Sequence, residues 1–169
     1  SVNRRWEVEK FAEVAKEIGR QDLPVVLVGA PYERGLALRF NELYQGNKVD
    51  LVGQLSVPEL IAVVNQSSFV LTNDTAPVHI AVALKIPSLC VVGAGQLGML
   101  SFYGYKHINR WVYAKTDCLA DDWRCVLRVP SDAPAPCITA VSVGEVLKEL
   151  HELLRIIHNR PSDKVTDKN

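Results

Sequence analysis

The stretch Asn73-Asp74-Thr75-Ala76-Pro77-Val78-His79 sets a carboxylate, a hydroxyl and an imidazole directly after the apolar run Phe69-Val70-Leu71-Thr72. Asp74 or Thr75 can cap a helix that starts there, and Pro77 suits its first turn. The N–H groups and the dipole at such a helix end make an anion site. Thr75 and His79 are four residues apart and share one helix face. A hydroxyl, a histidine and bare amides converging on one point suit a phosphate. A capped helix with a packed histidine is the other reading of the same spacing.

Two further groups invite chemistry. Gly93-Ala94-Gly95-Gln96-Leu97-Gly98 spells G-x-G-x-x-G after a strand, and Asp117 lies about 20 residues on, as in a dinucleotide-binding oxidoreductase that uses NAD or FAD. That reading needs a helix straight afterwards, to seat the pyrophosphate on its first amides. Met99-Leu100-Ser101-Phe102-Tyr103-Gly104-Tyr105 is short, aromatic and broken by glycine, so a loop that admits a ligand to the backbone fits better. Cys118, Cys125 and Cys137 are spaced C-x6-C and C-x11-C, which matches no structural zinc pattern and suits loop-packing thiols. Arg4-Arg5, Arg124, Arg128, His107, His151 and His158 read as solvated surface.

The elements that must position these groups alternate along the chain. Val8, Phe11, Ala12, Ala15 and Ile18 recur at helical spacing before Gly19. Leu23 to Gly29 is a continuous apolar run, as in a strand covered on both faces. Glu33 to Tyr44 reads as a helix and Val49 to Val52 as a weak strand. Ser56-Val57-Pro58-Glu59 opens the next helix with a capping box. Strand Phe69–Thr72, helix Pro77–Leu84 and strand Ser88–Val92 follow, then a strand at Trp111–Ala114 and a last helix at about Ser142–Ile157. This rhythm predicts an α/β doubly wound parallel sheet, Rossmann-like, with ligands beyond the carboxyl ends of its strands. Residues 1–158 form the domain, and 159–169 form a polar tail.

Composition excludes several classes. The 169 residues are 48% hydrophobic and 22% charged, an ordinary globular balance that argues against disorder. Nineteen basic and nineteen acidic side chains cancel, so no global field draws the chain to nucleic acid. No apolar run is long enough to span a bilayer, and Ser1 to Trp6 leads into no apolar signal segment. Four cysteines do not make a disulfide scaffold, which points to a reducing cytoplasm.

Asn73-Asp74-Thr75-Ala76-Pro77-Val78-His79-Ile80-Ala81-Val82-Ala83-Leu84 resembles the N-D-[ST]-G-x-x-H-x-A-A-A-L segment of glycosyltransferase family 9, the lipopolysaccharide heptosyltransferases. Arg4-Arg5-Trp6 stands where that family has K-x-W. Val28 to Glu33 resembles its V-x-G-x-x-x-E turn, and Gly53 to Leu60 its G-K-T-S-L-x-E-L segment. The match keeps the family's order over residues 3–157. The resemblance implies the C-terminal, donor-binding half of a two-domain GT-B enzyme, with the acceptor site and catalytic carboxylate in an N-terminal half. It implies that Arg4, Asp74, Thr75, Ala76 and His79 meet the diphosphate and sugar, and that Gly29, Glu33 and Leu55 meet the nucleoside. The implied donor is a nucleotide sugar such as ADP-heptose, and the acceptor is a lipid-linked saccharide. Transfer would be inverting, without metal or cofactor, at the cytoplasmic face of the inner membrane. A nucleotide-sugar-binding module without transfer activity is the alternative. Ala76, where the family has glycine, is the main departure.

Overall fold

The computed structural model describes residues 2–94, 104–116, 129–130 and 132–159. Gly95, Gly98, Asp117, Cys118, Cys125, Arg124, Arg128 and most of the tail lie outside the described residues. The elements run α1 (Val8–Gly19), β1 (Val25–Leu27), α2 (Arg34–Leu43), β2 (Lys48–Asp50), α3 (Val57–Gln66), β3 (Val70–Asn73), α4 (Ala76–Ala83), β4 (Ser88–Val91), β5 (Asn109–Val112), α5 (Pro136–Thr139) and α6 (Val143–His158). Among the described residues every strand pairing is parallel, in two ladders ordered β1-β2 and β3-β4-β5. The β1–β2 and β3–β4 crossovers carry α2 and α4, an arrangement that is α/β and Rossmann-like.

β4 shows how the sheet is covered. Leu89 and Val91 pack into a core with Trp6, Val14, Val146, Leu150 and Leu153. Cys90 and Val92 turn the other way, onto Val78 of α4. Successive side chains point to opposite faces, so a strand buried along its length must have cover on both. α6 supplies one cover and α4 the other.

β1 departs from expectation. Val25 and Leu27 pack on Ala12, Ala15, Phe40 and Tyr44 of α1, α2 and the turn that follows. Val26 and its register partner Val49 are 41% and 48% exposed on the other face. A strand covered on both faces is therefore corrected at β1, because α3 packs chiefly on α4 instead.

Capping fixes where helices begin. The Ser56 amide and hydroxyl both donate to Glu59 Oε2, at 2.7 and 2.6 Å, as the spacing predicts. α6 has a fuller box, which the sequence reading passed over. Ser142 Oγ accepts from the Glu145 amide at 3.2 Å, and the Ser142 amide donates to Glu145 Oε2 at 2.9 Å. The Ser142 amide and hydroxyl hold the Glu145 carboxyl below its ordinary 4.5, against a smaller upward push from burial. The lowered value means this support is complete above pH 4.5 and is lost as the pH falls through the folded value. Ser142→Ala is expected to cost about 1 kcal/mol at neutral pH, read as a lower urea midpoint with an unchanged slope.

Candidate functional site

β3 delivers the chain to α4 at Asn73, and the two intervening residues carry the chemistry. Asp74 is 2% exposed, and its Oδ1 lies 3.3 Å from Nε2 of His79, whose side chain is 40% exposed. A buried carboxylate needs a partner, and the histidine serves as one while keeping an open side. His79 is thus half-buried, with one ring nitrogen held against Asp74. Thr75 occupies the N-cap position with extended backbone, but its side chain makes no cap hydrogen bond. Its hydroxyl instead donates to Asn73 O at 3.4 Å and meets the Thr72 hydroxyl at 3.3 Å. Thr75 and Ala76 are exposed at the positive end of the α4 dipole. Beneath them, burial and then the Asp74 charge push the Cys90 thiol well up, so it stays protonated and offers no thiolate nucleophile.

The chain's start is tied to the same place. A 3-10 turn, Val2–Arg4, leads into Trp6, whose amide donates to Asn73 Oδ1 at 3.3 Å. Asn73 Nδ2 donates in turn to Val91 O, at the end of β4, at 3.2 Å. The Ala135 amide donates to Asn3 O at 3.0 Å, and Trp6 Nε1 donates to Val141 O at 2.9 Å. These bonds tie the start of the chain, two residues from Arg4, to the carboxyl ends of β3 and β4. No local pattern reveals the bonds that Trp6 makes, which join residues 67 and 135 positions apart.

Gly29, Glu33 and Leu55 gather at the carboxyl end of the other ladder. The Gly53 amide donates to Gly29 O at 2.9 Å, which joins the turn after β1 to the loop after β2. Gly53 has φ +76, and a Cβ there would sit 3.0 Å from Pro31 Cα, so close approach demands glycine. Glu33 Oε2 accepts from the Ala30 amide at 2.9 Å, so this oxygen braces its own turn. Leu55 is half-buried at the end of that loop. Asp50, which the sequence reading missed, organises the loop's other side. It accepts from Arg34, Asn41 Nδ2 and the Val52 amide at 2.9, 2.8 and 3.1 Å. Burial pushes the Asp50 carboxyl up, but these donors together hold it below its ordinary value.

A surface pocket of about 520 Å³ opens at the opposite end, between the carboxyl termini of α1 and α2, lined by Lys16, Gly19, Tyr44 and Gly46. It contains none of the expected site residues. Of the glycine-rich loop only Gly93 and Ala94 are described, with Gly93 against Cys137 Sγ. Among the described residues no group of three or more His, Cys, Asp or Glu could hold a metal. None of the described helices is long and apolar enough to cross a membrane.

Residues 1–122 match the family described as glycosyltransferase family 9 (heptosyltransferase). Lipopolysaccharide heptosyltransferase 3 of Escherichia coli is 32% identical over 93 residues, which make up 53% of this chain and 27% of that protein. Lipopolysaccharide heptosyltransferase 1 of Salmonella typhimurium is 28% identical over 103 residues, 60% of this chain and 32% of that protein. The structure of E. coli ADP-heptose lps heptosyltransferase II aligns with a TM-score of 0.72 at 18% identity, covering 92% of this chain and 44% of that one. A glycosyl transferase family 9 structure from Veillonella parvula aligns at 0.69 and 21% identity, covering 92% and 43%. The chain thus spans about a third or less of these curated relatives and under half of the solved chains.

Proposed function

The chain belongs to glycosyltransferase family 9, and from that premise we propose that residues 1–158 bind the nucleotide-sugar donor of a lipopolysaccharide-core glycosyltransferase, with 159–169 as a tail. Its fold is one Rossmann-like half of the GT-B arrangement. The observation that carries the reading is the buried Asp74 behind a half-open His79, at the start of α4, with the Arg4 segment laid beside it. Arg4, His79 and the first amides of α4, at Thr75 and Ala76, receive the diphosphate. Gly29, Glu33 and Leu55 receive the nucleoside. The donor is ADP-heptose or a related nucleotide sugar.

In this reading the chemistry is displacement at the anomeric carbon, with the diphosphate as leaving group. Negative charge grows on its bridging oxygen as the bond breaks. Helix-end amides and the Arg4 guanidinium stabilise that charge. A carboxylate from the facing half takes the proton of the acceptor hydroxyl. Asp74 is not that base, because it is buried behind His79.

Calorimetric titration of ADP and ADP-heptose tests the reading. Saturable binding of both to the 169-residue polypeptide is expected, without sugar transfer to a lipid A-core acceptor by that polypeptide alone. Failure of both ligands to bind would overturn the assignment. Binding in a full-length protein that never transfers sugar would favour the non-catalytic module.

A further inference from the structure

Asn73 ends β3, and its side chain lies between two backbone groups of opposite character. On one side the Trp6 amide can only donate, and it meets Asn73 Oδ1 at 3.3 Å. On the other side the Val91 carbonyl can only accept, and it meets Asn73 Nδ2 at 3.2 Å. Val91 is the β4 residue paired with Asn73 in the ladder. A single orientation of the amide satisfies both neighbours, and only an amide offers a donor and an acceptor at that reach. An aspartate here would turn a carboxylate oxygen toward the Val91 carbonyl, and an alanine would lose both bonds. The bridge binds the segment carrying Arg4 to the strand end that carries Asp74 and Thr75. The other ties on that segment, Asn3 O to the Ala135 amide and Trp6 Nε1 to Val141 O, hold it from the α5 side. Of these three bonds, the one to Asn73 comes from the diphosphate side.

We propose that Asn73 is a positioning residue that seats Arg4 against the start of α4, setting the strength of its contact with the donor diphosphate without touching the donor itself. The proposal rests on the reading above, in which Arg4 meets that diphosphate. An uncharged side chain then controls an electrostatic contact. This predicts a readout that a merely structural role would leave alone, namely how steeply ADP affinity falls with salt.

The test is calorimetric titration of ADP over a range of salt concentrations. It uses wild type, Arg4→Ala, Asn73→Ala, Asn73→Leu and the Arg4→Ala/Asn73→Ala pair. Arg4→Ala is expected to weaken binding about tenfold and to flatten the salt dependence. Asn73→Ala is expected to do nearly the same, and the double variant to be no more than about twofold weaker than Arg4→Ala alone. Asn73→Leu keeps the size and adds no charge while losing both bonds, so it decides the matter if the alanine variant does not fold. Its salt dependence should also flatten. Additive losses, or an unchanged salt dependence in both Asn73 variants, would overturn the proposal. If Arg4→Ala binds ADP as wild type does, the diphosphate assignment fails instead, which is a different result.

Discussion

His79→Ala is expected to weaken binding of a nucleoside diphosphate by roughly ten- to hundredfold, while His107→Ala leaves it unchanged. The magnitude is that of one hydrogen bond to a charged group. Two effects add in the same direction. The variant loses a donor toward the phosphate oxygens, and it removes the ring that stands 3.3 Å from the Asp74 carboxylate. That carboxylate, 2% exposed, would then repel an incoming anion across the space the imidazole filled. Asp74→Asn is the companion variant, with the same shape and no charge. If repulsion contributes, the pair His79→Ala/Asp74→Asn should recover part of the loss. His107 is the control because it precedes β5, at the amino end of that strand, with its ring edge-on to Tyr105 at 6.4 Å. Calorimetry with ADP decides, and equal affinity in wild type and His79→Ala would take the diphosphate away from α4.

What the sequence revealed depended on whether a signal was local. The strand Ser88–Val92 was readable because both of its faces are buried, which leaves an unbroken apolar run. The same kind of run at Leu23–Gly29 misled, since β1 presents Val26 to solvent. A run of apolar residues does not say which helix packs over it. The Ser56–Glu59 box was legible because both partners sit within one turn. α5 was not, because four residues carry no period. At the site, Thr75 and His79 were placed on one face by their spacing, but the Asp74–His79 pair was not. Asp74 precedes the helix, so helical periodicity does not apply to it. Arg4, Gly29, Glu33 and Leu55 came from family resemblance alone. The bond that ties Trp6 to the end of β3 spans 67 residues and leaves no trace in any window of sequence.

Trp6→Ala is expected to be the most damaging single change to stability, at about 3–5 kcal/mol. Trp6 is fully buried at the centre of the larger core, edge-on to Phe11 with ring centroids 5.0 Å apart. Deleting the indole opens a cavity among residues of α1, β4 and α6, which cannot collapse together because each is held by its own packing. For a chain of this length the melting temperature should fall by roughly 6–20 °C. Trp6→Phe should cost far less. It fills most of the space and loses the bond to Val141 O, a carbonyl that Lys10 Nζ also reaches at 3.3 Å. The informative comparison is with Leu150→Ala, in the same core but on α6, which should cost about 2–5 kcal/mol. Both variants lose core packing, yet only Trp6 lies two residues from Arg4 and gives its amide to Asn73. Under conditions where each variant remains folded, Trp6→Ala should therefore weaken ADP binding, and Leu150→Ala should not. Equal loss of affinity in both would mean that binding follows overall stability, and that the Arg4 segment is not specifically seated by Trp6.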